Sequence, residues 1–325
     1  MAMPPRQKAS GFDPQVLALF DQYVHGLIDR RGFLTGAARF AVGATGAAAL
    51  LAALSPQFVA AQQVKPDDQR LHATFAEFDS PDGYGKGRGY LVRPAQAKGP
   101  LPLVMVIHEN RGLNPHIEDV ARRMALENFI AFAPDALFPL GGYPGDEDAA
   151  RALFQSLDQG KTRHDFLAAM RYLESVPDNN GRTGVTGFCW GGGMANYLAS
   201  QLPGLDAAAP FYGMAAPLDD VDAIEAELLV VLAGNDERIN KEWPAYEAAL
   251  KAAGAKYSLY QPPGTQHGFH NDTTPRYDEA AAKEAWRRTI ALFERTLRRP
   301  EAKKGKEKKP EERRAETSNR PPDRA

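Results

Sequence analysis

The chain has 325 residues, 43% of them apolar, which suffices for a sizeable core but not for two large domains. The formal net charge of −2 gives no global field that would draw nucleic acid or an anionic membrane, and a single cysteine excludes an intrachain disulfide. Eleven basic and six acidic residues fall in 298–325, so a basic tail hangs from a mildly acidic body.

Residues 1–69 read as an N-terminal tail carrying an export address. Asp29-Arg30-Arg31-Gly32-Phe33-Leu34 resembles a twin-arginine signal, although Thr35 stands where a lysine is more usual. The soft apolar stretch 40–54 follows, and its 15 residues fall short of the roughly 20 that span a bilayer. Val59-Ala60-Ala61 then offers small residues for cleavage after Ala61. The expectation is transient recognition by the twin-arginine export machinery, a periplasmic mature protein and no stable membrane insertion after cleavage. If the signal does not function, the segment is an ordinary amphipathic helix and the protein is cytoplasmic.

The folded part is expected over 70–297. A hairpin occupies 72–93, turning at Ser80-Pro81-Asp82-Gly83. The run 101–107 is continuously apolar, the pattern of a strand covered on both faces. A helix starts at Asn114-Pro115, a strand covers 129–133, and 137–146 is a Gly/Pro-rich loop. Helices at 161–175, 194–201, 243–253 and 277–297 alternate with strands at 183–188, 207–212, 228–233 and 257–260. This alternation predicts an α/β fold with a mainly parallel sheet and helices on both faces. The segment 298–325 is almost devoid of apolar residues and is expected to be a disordered charged tail.

The strongest chemical signal is Gly187-Phe188-Cys189-Trp190-Gly191 between a strand and a helix. So tight a turn demands glycines on both sides and lifts the central side chain above the sheet's C-terminal edge. The following helix N-terminus favours a thiolate and, later, an oxyanion. In this arrangement the acid and the base follow the nucleophile in chain order. Asp236, after the 228–233 strand, and His267, after the 257–260 strand, fit those places and share Cys189's rim. His270 is the rival base. His108, Glu109 and His116 lack metal-motif spacing, so neither a metal nor a cofactor is expected.

The stretch His108-Glu109-Asn110-Arg111-Gly112-Leu113, the Gly-Phe-Cys-Trp-Gly-Gly elbow and the late His267-Gly268-Phe269 resemble the dienelactone hydrolase (carboxymethylenebutenolidase) family over roughly 70–297. The resemblance implies an α/β-hydrolase fold without a large cap domain and hydrolysis of a small ester, lactone or thioester through an acyl-cysteine. It places the triad on Cys189, His267 and Asp236, and Glu109 beside the thiol as its switch partner. Backbone N–H groups of Asn110 and Trp190 are the expected oxyanion donors. Two arginines by which the family holds a substrate carboxylate have no counterpart in Ala136-Leu137-Phe138 or in His270-Asn271-Asp272. The substrate range is therefore expected to differ. Arg111, Phe138, Tyr143 and Tyr212 are the candidate pocket residues. A small ester or lactone is the expected partner, with no nucleic acid. A non-catalytic binding protein on a hydrolase fold and a peptidase of the same fold are the alternatives.

Overall fold

The run Leu101–Ile107 (β3) lies near the middle of an eight-stranded sheet, and its alternate side chains enter two different cores. Leu103, Met105 and Ile107 pack on one face, Val104 and Val106 on the other, and all five are fully buried. Burial on both faces is why the strand is apolar throughout rather than alternating. The structure, a computed structural model, describes residues 8–40 and 46–298. The expected tail from 299 onward and part of the 40–54 stretch lie outside the described residues.

Helices α1 (Pro14–Val24), α2 (Arg30–Ala37), α3 (Ala47–Leu54) and α4 (Phe58–Ala61) precede the sheet. The hairpin of β1 (Leu71–Ser80) and β2 (Gly85–Pro94) is antiparallel, and β2 pairs antiparallel with β4 (Ile130–Pro134). From β4 onward every pairing is parallel, through β3, β5 (Asn179–Phe188), β6 (Ala207–Phe211), β7 (Glu227–Val231) and β8 (Tyr257–Tyr260). One face is covered by α7 (Gln159–Glu174), α8 (Trp190–Gln201) and α10 (Trp243–Ala252), through Phe166, Met170, Met194, Leu198 and Leu250. The other is covered by α5 (Pro115–Leu126) and α11 (Glu279–Leu297), through Ile117, Val120, Met124, Leu292 and Phe293. Each fully buried side chain of this size stabilises the fold by about 1.5–3 kcal/mol.

Several elements depart from expectation. Helix α8 begins at Trp190, four residues early, because the elbow forces Gly191–Gly193 into its first turn despite their low helix propensity. Two further helices appear, α6 (Glu147–Gln155), capped by Asp146, and the short α9 (Glu237–Asn240), capped by Asp236.

The N-terminal segment, expected as a tail, is folded among the described residues. Asp13 caps α1, which carries Val16, Leu17, Phe20 and Tyr23 on its buried face. These pack with Phe33, Ala37, Leu51 and Leu54 of α2 and α3 in a separate small core. Its chemical reason is plain: Phe20 and Phe33 meet edge-on at 6.2 Å, a favoured aromatic geometry. The connection to the sheet is pinned as well. Backbone N–H groups of Gln63 and Val64 donate to the Asp119 carboxylate at 3.1 and 2.8 Å. Among the described residues no helix is long and apolar enough to cross a membrane.

Candidate active site

Cys189 occupies the single residue between β5 and α8, with φ of +56°. That conformation costs an L-residue of order 1–3 kcal/mol and persists only where its surroundings enforce it. The enforcement is visible. Cys189 N–H donates to Phe211 O at 3.0 Å. A Cβ on Gly187 would lie 2.1 Å from Gly191 O, and one on Gly191 would lie 2.5 Å from His108 O. Only hydrogen fits at either position.

Asp236 follows β7, and His267 lies in the loop after β8. Asp236 Oδ2 accepts from His267 Nδ1 at 2.5 Å, while its Oδ1 accepts the Ile239 N–H at 3.3 Å. The other face of His267 meets the thiol: the metal-capable atoms of Cys189, His267 and His25 lie within 4.8 Å of one another. Burial alone would raise the Cys189 pKa, but the His267 charge and hydrogen bonds from His25 and His267 bring it down. Burial alone would lower His267, but the Cys189 charge and Asp236 raise it. Both directions favour a thiolate–imidazolium pair. His270, the rival base, is elsewhere. Its ring stacks between Phe188 and Trp286, at 5.0 and 6.0 Å, and burial pushes its pKa down to about 3.

The loop after β3 supplies the rest of the rim. His108 is structural: its Nε2 accepts the Ala136 N–H at 3.1 Å and its ring stacks on Trp190 at 5.4 Å. His116 instead faces Asp272 Oδ1 at 3.3 Å. Glu109 Oε2 accepts from Asn271 Nδ2 at 2.9 Å, and Glu109 shares a cavity of about 50 Å³ with Cys189 and His267. Asn110 lines the same cavity, and Trp190 opens α8, so its N–H is among the first-turn donors without an intrahelical acceptor.

A larger cleft of about 760 Å³ opens on Cys189, walled by Trp190, Met194, Tyr197, Tyr212 and Met214. Tyr212 thus stands where a pocket residue was expected. Phe138 and Tyr143 do not, and the expectation for them is corrected. Neither lines the cavities that hold Cys189: Phe138 lies under the Arg88 guanidinium at 4.9 Å, and Tyr143 donates to Glu147 Oε1 at 2.8 Å. Arg111 lines the small cavity, but both of its terminal nitrogens are engaged, while its Nε lies 3.6 Å from Glu147 Oε2. Nη2 donates to Val24 O at 3.1 Å and Nη1 to Asn110 Oδ1 at 2.6 Å.

Those bonds disclose what the sequence reading missed. The C-terminal carbonyls of α1 are held by the rim: Arg111 and Asn110 Nδ2 donate to Val24 O, the latter at 3.0 Å, and Arg151 donates to Tyr23 O at 2.6 Å. Cations at this end of a helix are also favoured by its dipole. The grip delivers His25 to the thiol, with Nε2 3.6 Å from Cys189 Sγ and 3.3 Å from His267 Nε2. Burial opposes a charge on His25, but hydrogen bonding to Asp21 raises its pKa. The one available signal was Asp21-x-x-x-His25, an acid and an imidazole one helical turn apart.

Residues 88–297 match the family model described as the dienelactone hydrolase family, and residues 3–42 match one described as YqhI-like. An Escherichia coli K12 protein called "Putative carboxymethylenebutenolidase" is 34% identical over 244 residues, covering 70% of this chain and 88% of that protein. "Putative hydrolase fragment YghX" of the same strain is 51% identical over 112 residues, 34% of this chain and 96% of its own length. The crystal structure of "Putative Dienelactone Hydrolase" from Klebsiella pneumoniae subsp. pneumoniae MGH 78578 superimposes with a TM-score of 0.61 at 28% identity. It covers 68% of this chain and 98% of that one.

Proposed function

The chain belongs to the dienelactone hydrolase family and is a carboxylic ester hydrolase, and on that premise we propose that it works through a Cys189–His267–Asp236 triad and an acyl-cysteine intermediate. The observation that carries this is the 2.5 Å bond from His267 Nδ1 to Asp236 Oδ2, with the thiol held against the same ring on a glycine elbow.

The Cys189 thiolate adds to the substrate carbonyl carbon, and the carbonyl electron pair moves onto oxygen. Backbone N–H groups of Trp190 and Asn110 stabilise that oxyanion. Its collapse expels the alkoxide, which takes the proton from His267, leaving a thioester on Cys189. His267 then takes a proton from water as the hydroxide attacks the thioester. The second collapse returns the thiolate and releases the carboxylic acid. Asp236 fixes the imidazole's tautomer throughout. Glu109, in the cavity beside the thiol, is placed to tune its charge. Cys189→Ala should remove turnover of a 4-nitrophenyl ester while the protein stays folded; wild-type kcat in that variant would refute the triad.

The substrate preference is proposed to differ from that of relatives with two carboxylate-binding arginines. Two of the cleft arginines are engaged, Arg151 by Tyr23 O and Asp148 and Arg238 by His25, while Arg163 lies over the Tyr197 ring. Burying a substrate carboxylate without a free partner is costly. Paired esters and lactones with and without a carboxylate should favour the neutral member in kcat/KM.

Export is a separate proposal resting on Arg30-Arg31 and the small residues before Gln62. The mass of the protein recovered from its native cells tests it: a chain starting at Gln62 supports it, a chain retaining α1–α4 refutes it.

A further inference from the structure

His25 reaches the site from outside the dienelactone hydrolase match, which begins at residue 88; its helix lies in the YqhI-like segment, 3–42. Its Nε2 is 3.3 Å from His267 Nε2 and 3.6 Å from Cys189 Sγ, and the three atoms lie within 4.8 Å of one another. A tetrahedral zinc ion holds nitrogen at about 2.0–2.1 Å and sulfur at about 2.3 Å, which separates two nitrogens by about 3.3 Å and nitrogen from sulfur by about 3.6 Å. Two edges of this triangle therefore have the lengths a zinc site requires.

The surroundings agree. Metal-binding imidazoles turn their other nitrogen to a carboxylate or carbonyl, which orients the ring and raises its basicity. His267 does so to Asp236 Oδ2 at 2.5 Å. His25 Nδ1 does so to Asp21 O at 2.8 Å, with Asp21 Oδ2 at 3.3 Å. Arg238 Nη2 lies 2.9 Å from His25 Nε2. A guanidinium can only donate, so with Arg238 in place that nitrogen offers its lone pair, the form a metal takes, and it donates to Cys189 Sγ only when Arg238 is not bonded to it. Arg238 lines the open cleft, and metal binding requires its guanidinium to leave this nitrogen. Two imidazoles and a thiolate select zinc-class ions over magnesium or calcium.

We propose that His25, Cys189 and His267 form a site for a zinc-class divalent cation in the chain that retains α1, and that the bound ion holds the Cys189 thiolate out of reaction. Binding makes one metal–sulfur and two metal–nitrogen bonds and releases to solvent the proton that Cys189 and His267 share; nothing is oxidised or reduced. Silencing of turnover rests on Cys189 being the nucleophile, whereas coordination itself does not.

The test titrates reduced, chelator-treated full-length protein with Co²⁺. A thiolate-to-cobalt charge-transfer band and intense tetrahedral d–d bands should saturate at one equivalent. Cys189→Ser should remove the charge-transfer band. His25→Ala and His25→Gln should each weaken Co²⁺ at least tenfold, and circular dichroism with Tm reports whether α1 stays packed. Zn²⁺ should suppress ester turnover of the wild type reversibly, with the His25 variants at least tenfold less sensitive. Absence of the band, or unchanged Co²⁺ affinity in the folded His25→Gln variant, overturns the site. Turnover that survives Cys189→Ala while the wild type shows the band overturns the acyl-cysteine mechanism and leaves the site standing.

Discussion

At Cys189 the backbone is fixed by neighbours that leave no room for an added atom at Gly187 or Gly191. Gly187→Ala brings a methyl to 2.1 Å from Gly191 O, a clash with backbone that no rotamer relieves. The expected cost is about 1–3 kcal/mol or more from overpacking. Displacing the thiol by even an ångström would lower kcat/KM by about 100-fold. Urea melts and ester kinetics on the same preparation check both; a variant with wild-type kinetics would mean that the elbow is more compliant than its geometry allows. Asp236→Asn preserves the shape but offers His267 Nδ1 an amide, and kcat should fall by about 10²–10⁴-fold with KM little changed. These residues were legible because glycine spacing and chain order are local signals. His25 was not, because nothing in its neighbourhood of sequence says that α1 ends against a thiol 164 residues away.

The N-terminal helices pack with one another and onto the rim of the sheet. Phe33 of α2, fully buried against Phe20 and Tyr23 of α1, belongs to their small core. Phe33→Ala should cost about 3–5 kcal/mol within that unit. Because the unit has a core separate from the sheet's two, the loss should appear as faster hydrogen exchange over 14–37, with exchange in β3 and β5 unchanged. Equal acceleration in β3 would show that the helices and the sheet unfold as one. The amphipathic spacing of α1 was present in the sequence, yet an apolar stretch after paired arginines reads equally well as an address. A packed helix also needs a partner surface, and Arg111, Asn110 and Arg151 bind the last carbonyls of α1. Arg111 lines the small cavity at Cys189, but its hold on Val24 O was not legible, because the direction of a side chain in the rim loop is not encoded locally.

Across the whole molecule, acid stability depends on histidines that the fold keeps neutral. Burial lowers His108 to about 4 and His270 to about 3, from the ordinary 6.5. Between those values the unfolded chain binds more protons than the folded one, so stability falls as pH drops from about 6.5 toward 4. Denaturant midpoints taken across that window should decline. His270→Phe keeps the stack on Phe188 and Trp286, gives up no partner at Nδ1 and removes the titration. That variant should show a shallower decline; an identical slope would place the acid sensitivity elsewhere. The sequence by itself determined the alternation of strands and helices, the doubly buried Leu101–Ile107 strand, the elbow and the chain order of Cys189, Asp236 and His267 on one rim. Each of these is written in periodicity or in short-range spacing, which the backbone's local geometry enforces. Tertiary structure alone decided that Phe138 and Tyr143 fall outside the linings of the two cavities at Cys189, and that α1 carries His25 into the site. These depend on which surfaces meet across long stretches of chain, and side-chain direction there follows from packing rather than from the residues nearby.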